Sequence, residues 1–259
     1  MFPLKDNIPT DRFPIVTVAI IALNVFVYLF LQKHVGSGLS GLNTVSDANV
    51  TKWGAIPYEF THPGKHCALA AGQILCEGQS GVHGSAPSQP NTWLTAFFGM
   101  FMHGGLLHIG GNMLFLWIFG NNVEDSMGRL KFLLWYLAGG VVAALAQFAS
   151  GPGQAVPTLG ASGAIAAVLG GYALLFPRAR VVTLVFIVFF MTVITLPALL
   201  VLGLWFLLQI LDASSQSLTG GGVAYLAHIG GFVFGLLVVK LLATRYDPNY
   251  DGRPRLPVY

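Results

Sequence analysis

Apolar positions in this chain come in long unbroken blocks, not in the short amphipathic periods of a soluble domain. Phe132 to Pro177 contains no Asp, Glu, Lys or Arg, and neither does Val181 to Leu211 or Ala213 to Val239. A helix crossing a hydrocarbon core of ~30 Å needs about 20 such residues. Hydropathy therefore predicts an all-α, polytopic bundle of six spans. The first runs from Pro14 to about Gln32, the second from about Gly105 to Asn121 and the third from about Lys131 to Phe148. The fourth runs from near Gly160 to Phe176, just before Pro177, and the sixth from about Val223 to Leu242. The fifth lies within Val181 to Leu211, 31 residues that are too many for one upright helix and too few for two. Its body is expected after Pro197, starting near Thr195. The β-branched stretch from Val181 to Ile194 is expected in or near the membrane interface.

Composition agrees with lipid as the solvent. Of 259 residues, 54% are hydrophobic and 9% charged, against roughly 25% charged in soluble domains. With six spans, one side holds ten of the 13 cations: Lys5, Arg12, Arg129, Lys131, Arg178, Arg180, Lys240, Arg245, Arg253 and Arg255. The other side holds only Lys33, Lys52 and Lys65. This positive-inside bias places the termini in the cytoplasm. Residues 1–13 then form a cytoplasmic segment, 14–245 the membrane domain, and 246–259 a loosely ordered cytoplasmic tail. Residues 34–91 become a long external loop. The net charge of +3 is accounted for by topology, and no basic stripe with interleaved aromatics occurs, so nucleic acid is not an expected partner. The polar, proline-bearing amino terminus lacks the pattern of a cleaved signal peptide, so the first span is expected to stay in the membrane.

Both cysteines, Cys67 and Cys76, fall in the external loop, where a disulfide suits an oxidising side. A metal site drawn from His62, His66, Cys67, Cys76 and His83 matches no zinc spacing, so no metal is expected.

Polar side chains inside a span are expensive, and each is a functional candidate. Gly160-Ala161-Ser162-Gly163 opens the fourth span, and Ala227-His228-Ile229-Gly230-Gly231 sits in the outer half of the sixth. His108 and Asn112, four apart near the outer end of the second, share a helix face. Ser162 lies 15 residues before Pro177 and His228 17 before Arg245, so both sit roughly 22–25 Å from the cytoplasmic end at ~1.5 Å per residue. Three helices thus place polar groups in one layer.

The chemistry follows from the residue types. A serine hydroxyl is a weak nucleophile until a base takes its proton, and histidine is the usual base. Ser162, at a helix start, has unpaired N–H groups beside it, and these, with Asn112 and His108, suit an oxyanion. Gly160 and Gly163 leave room for a substrate backbone, and Gly231 with Gly235 lets the sixth span approach the fourth. His103, five residues before His108, faces elsewhere and is read as structural.

His103-x4-His108-x3-Asn112, Gly160-x-Ser162-Gly163 and Ala227-His228-x2-Gly231-x3-Gly235, in this order, resemble the rhomboid intramembrane serine proteases. The resemblance covers about Trp93 to Thr244 and the six-span topology. It implies a Ser–His dyad without an acid, needing no cofactor, that cleaves transmembrane protein substrates in or near their spans. Ser162 would be the nucleophile, His228 the general base, and His108, Asn112 and the Ser162 amide the oxyanion site. Gly120-x3-Glu124 matches a family motif in which the acid is structural and ties the cytoplasmic loop. The implied location is a bacterial inner membrane. Two positions depart from the family pattern: Leu94 follows Trp93 where an Arg is common, and Ala166 stands where an aromatic often supports the histidine.

Two other readings remain in view. A catalytically silent relative that escorts membrane clients has no need of Ser162, His228, His108 and Asn112 together. A small transporter would show internal repeats or a mid-membrane charge. Asp212, at the outer end of the fifth span, is an unremarkable acid there and a poor third member of a triad.

Overall fold

The computed structural model describes residues 2–36, 38–187, 190–219 and 224–247. Strand β1 (Phe2–Asp6) precedes helix α1 (Ile15–Phe26), which widens into a π turn over Val27–Leu31. Short elements follow: α2 (Gly38–Asn43), α3 (Asp47–Trp53), α4 (Pro57–Thr61), a hairpin of β2 (Cys67–Ala70) and β3 (Gln73–Cys76), and α5 (Thr92–Gly99). Helix α6 (Leu106–Phe115) runs through a second π turn, Leu116–Gly120, into α7 (Asn121–Met127). Then come α8 (Arg129–Ser150), α9 (Ser162–Leu175), strands β4 (Arg180–Ile187) and β5 (Phe190–Pro197), α10 (Ala198–Thr219) and α11 (Tyr225–Leu242). Gly128, at φ +82°, takes the left-handed backbone that separates α7 from α8.

The fold is mostly helical, but it is not all-α. The stretch expected to lie along the interface forms the antiparallel pair β4–β5, and β1 adds to it in the order β1-β4-β5. A run of Val, Ile, Thr and Phe favours the extended chain, and pairing with β5 and β1 satisfies the backbone groups of β4. The body of the expected fifth span, α10, lies after Pro197 as the sequence indicates, but it starts at Ala198 and not at Thr195, because Pro197 closes β5 and Ala198 N–H bonds the Ala179 carbonyl at 2.8 Å.

Helix length alone does not yield six crossings. Among the described residues, Arg129–Ser150 and Tyr225–Leu242 are long and apolar enough to cross a membrane, whereas Ile15–Leu31, Ser162–Leu175 and Ala198–Ser214 are shorter apolar helices. The expected tail beyond Asp247 and the expected start of the last span at Val223 lie outside the described residues.

Helix α9 is apolar all round and buried over nearly its whole length, as suits the central helix of a bundle. Its closest neighbour is α11. A Cβ on Gly231 would lie 2.1 Å from the Gly163 carbonyl oxygen, and one on Gly235 would lie 2.0 Å from that of Ala167. Small residues on both helices let the backbones meet.

At the end of the bundle that carries β1, Glu124 does something other than tie a loop. Its carboxylate accepts the N–H of Val16 at 3.0 Å, the N–H of Thr17 at 2.7 Å and the Thr17 hydroxyl at 2.8 Å. It thereby caps the start of α1, whose first N–H groups have no partner within the helix. Asp6 is buried nearby, and its Oδ2 accepts from Asn122 Nδ2 and, at 2.6 Å, from the Tyr172 hydroxyl. Burial pushes the Asp6 carboxyl up to about 7, against the lowering effect of the Tyr172 hydrogen bond.

Candidate active site

Ser162 is the first residue of α9, and the helix start has no side-chain cap. Its first-turn N–H groups are therefore open to an acceptor. Gly160, two residues earlier, sits at φ +118° and donates its N–H to the Gly99 carbonyl at 2.8 Å. That conformation turns the chain sharply into α9, and a side chain there would meet His108, because a Cβ would lie 2.9 Å from His108 Nε2.

His228, in the first turn of α11, brings Nε2 to 2.7 Å from Ser162 Oγ. The close packing of Gly231 on Gly163 makes this distance attainable. His228 Nδ1 lies 2.6 Å from Oε1 of Gln209 on α10. Gln209 is 8% exposed, and its Nε2 donates to the Trp205 carbonyl at 3.3 Å. The Trp205 ring lies 5.8 Å from the His228 ring. Gln209 and Trp205 of α10 thus both lie against the His228 ring, to which Ala166 brings no aromatic. Ala166 is fully buried and turned toward α11, where a Cβ on Gly231 would lie 3.3 Å from its own.

Sequence reading missed Gln209, although a signal was present. It is the one amide side chain in the charge-free run from Val181 to Leu211, and a polar group there calls for a partner. Asp212, one turn further along α10, is not the residue on His228 Nδ1.

His108 and Asn112 are one turn apart on α6. The Gly104 N–H donates to His108 Nδ1 at 3.2 Å, so the neutral ring carries its proton on Nε2, the nitrogen facing Gly160. Asn112 is buried, and its Nδ2 has no hydrogen-bond partner. A buried amide N–H without a partner is uncommon. His103 is not remote from this group: its ring packs edge-on to that of His108, with centroids 5.2 Å apart. Its backbone is clamped by Gln32, which donates to the His103 carbonyl at 2.9 Å and accepts its N–H at 2.8 Å.

The loop leading into Ser162 is braced by the segment between α1 and α5. Ala55 and Thr158 exchange both backbone hydrogen bonds at 2.9 and 2.7 Å. Tyr58 N–H reaches the Gln154 carbonyl at 3.0 Å, and the Thr61 hydroxyl reaches that of Pro152 at 2.6 Å. Behind this brace a disulfide joins Cys67 to Cys76 across the β2–β3 hairpin, and both are fully buried against Ile56 and Tyr58. The bond takes both thiols away from any metal. Trp93 packs on Phe60, which stacks on Phe148, so α5 is anchored through aromatics, while Leu94 is half-exposed. A cavity of about 30 Å³ adjoins Ser162 and is lined by Gly99, Thr158, Gly160, Gly163 and Ala227.

A model of the rhomboid domain matches residues 90–245. Over 155 residues the chain is 30% identical to the zebrafish (Danio rerio) presenilin-associated rhomboid-like protein A, mitochondrial, covering 59% of this chain and 38% of that protein. It is 33% identical over 144 residues to the mitochondrial rhomboid protein 1 of Saccharomyces cerevisiae, covering 53% of this chain and 38% of that protein. The Bacillus subtilis rhomboid protease GluP is 40% identical over 78 residues, 30% of this chain and 15% of that protein. The chain thus spans well under half the length of these relatives. Mitochondrial proteins stand prominently among them, so they do not support the bacterial inner membrane expected from the sequence. With more than half of its length matched, the chain belongs to the rhomboid family of membrane proteins.

Proposed function

We propose that this protein is a serine endopeptidase that hydrolyses peptide bonds in or near transmembrane segments of other membrane proteins. The observation that carries the reading is the 2.7 Å approach of His228 Nε2 to Ser162 Oγ. His228 takes the hydroxyl proton as Ser162 attacks the scissile carbonyl. The negative charge that develops on the carbonyl oxygen meets the Ser162 N–H at the uncapped start of α9, Nε2–H of His108 and Nδ2 of Asn112. His228 then protonates the leaving amine, and water activated by the same base releases the acyl group from Ser162.

The arrangement suits chemistry below a membrane surface. Helix α9 has 14 residues, or about 21 Å at ~1.5 Å per residue, shorter than a hydrocarbon core of ~30 Å. Its nucleophilic end therefore lies within the bilayer when its other end is at the opposite surface. We read the chain as crossing six times, with α6 to α7 as one crossing and the termini on the side rich in Lys and Arg.

Purified full-length protein in detergent is expected to label with a fluorophosphonate and to cleave a model transmembrane substrate. Ser162→Ala abolishes both while leaving the melting temperature unchanged. Cleavage by Ser162→Ala at the wild-type rate sinks this mechanism. A wild type that neither labels nor cleaves, yet co-purifies membrane clients, favours the escort reading.

A further inference from the structure

We propose that Gln209 is the positioning residue of His228, fixing the ring tautomer that leaves Nε2 free to accept the Ser162 proton. The inference rests on the peptidase reading for its consequence, but its geometry stands apart from that reading. A neutral imidazole carries one N–H, on Nδ1 or on Nε2. With the proton on Nε2, the nitrogen facing Ser162 has no lone pair, and the hydroxyl cannot be activated. The partner of Nδ1 decides between the two forms.

That partner is an amide, which presents either an oxygen or an NH₂ group. The Trp205 carbonyl resolves the choice, because a carbonyl only accepts. Nε2 of Gln209 must face Trp205, where it lies at 3.3 Å. Oε1 must then face His228 Nδ1, at 2.6 Å. An oxygen there accepts, so Nδ1 holds the proton and Nε2, 2.7 Å from Ser162 Oγ, holds the lone pair. The chain from Trp205 carbonyl to Gln209, His228 and Ser162 is thus directional at every link. It resembles the role of the acid in a Ser-His-Asp triad, where the third group orients the ring and selects its tautomer. The difference is charge: an amide does this without placing an anion in the membrane interior, where charge is costly.

Gln209 and Trp205 both belong to α10, whereas His228 belongs to α11 and Ser162 to α9. The base is therefore oriented by a helix that bears neither reacting group.

Two measurements on the full chain in detergent test this. The first compares cleavage by the wild type, Gln209→Leu and Gln209→Glu. Gln209→Leu removes the acceptor and is expected to lower kcat by roughly 10- to 100-fold with little change in KM. Gln209→Glu keeps an acceptor at Nδ1 and is expected to recover most of the loss. Wild-type kcat in Gln209→Leu overturns the proposal, and so does a loss that Gln209→Glu does not recover. The second measurement needs neither a variant at Gln209 nor activity. Histidine-selective 15N NMR, with the His228 signal assigned by its absence in His228→Ala, is expected to find the proton on Nδ1. A proton on Nε2 overturns the proposal. If the wild type is inactive, the peptidase reading fails, while the tautomer still decides the role of Gln209.

Discussion

Gly231 of α11 lies so close to Gly163 of α9 that a Cβ on it would sit 2.1 Å from the Gly163 carbonyl oxygen. The contact is backbone on backbone, so no side-chain rotation can relieve an added group. Gly231→Val must push the two helices apart, and overpacking of this kind costs typically 1–3 kcal/mol. Ser162 is next to Gly163 and His228 is three residues before Gly231, so their separation widens with it. The expected outcome is a lower melting temperature together with loss of fluorophosphonate labelling. Labelling at the wild-type rate in a folded Gly231→Val protein contradicts this account.

Asp6 gives the protein a pH dependence at the opposite end of the bundle. The unfolded chain releases this proton near the ordinary carboxylate value of 3.8, whereas the folded chain holds it until about 7. Between those values the folded state binds more protons, so stability falls as pH rises and levels off above about 7. Asp6→Asn keeps an acceptor for the Tyr172 hydroxyl and removes the titration. It is expected to be more stable than the wild type at pH 8, by up to a few kcal/mol on the order set by linkage, and so to melt higher there but no higher at pH 4. Melting curves across that range in detergent check this, and parallel curves for the two proteins refute it.

The brace on the loop before Ser162 depends on a small core built around a disulfide. Cys67 and Cys76 pack with Tyr58, whose N–H holds the Gln154 carbonyl. Opening a short disulfide loop typically costs about 2–4 kcal/mol of local stability. The double variant Cys67→Ser, Cys76→Ser is expected to lose protection from amide exchange at Tyr58 and Thr158. It should also label with fluorophosphonate several-fold more slowly, because Ser162 is then less well positioned. Unchanged exchange at Thr158 argues against any mechanical link between hairpin and nucleophile.

Glu124 is a buried cap, and its loss is predicted to act on stability alone. Glu124→Ala strands the N–H groups of Val16 and Thr17, at a cost of roughly 1–3 kcal/mol for each buried donor left unpaired. Glu124→Gln retains a carbonyl acceptor and is expected to fall between Ala and wild type. Labelling measured well below the melting temperature should be close to wild type in both. A kcat loss at full folding would mean that the carboxylate reaches the site by some other route.

Much of the site was legible in the chain because its chemistry is carried by short local patterns. Gly160 before Ser162 announces a sharp helix start, Gly231 and Gly235 announce a close helix pair, and His108 with Asn112 share a face at four-residue spacing. What went unread depended on partners distant in sequence. Val181 to Ile194 became strands because β1, nearly 180 residues away in the chain, lies beside β4. Glu124 caps α1 for the same kind of reason, across 107 residues.

Ser162 and His228 themselves divide in this way. The sequence alone determined that a hydroxyl and an imidazole stand in apolar helices with glycine at their contact faces, because polar residues are conspicuous where no charge occurs for dozens of positions. Only the tertiary structure decided that they meet at 2.7 Å and that Gln209 lies on the far side of the ring. Helix periodicity says which face a side chain is on, but not how three helices turn those faces toward one another. That rotation comes from the packing of α9 against α11 and of α11 against α10.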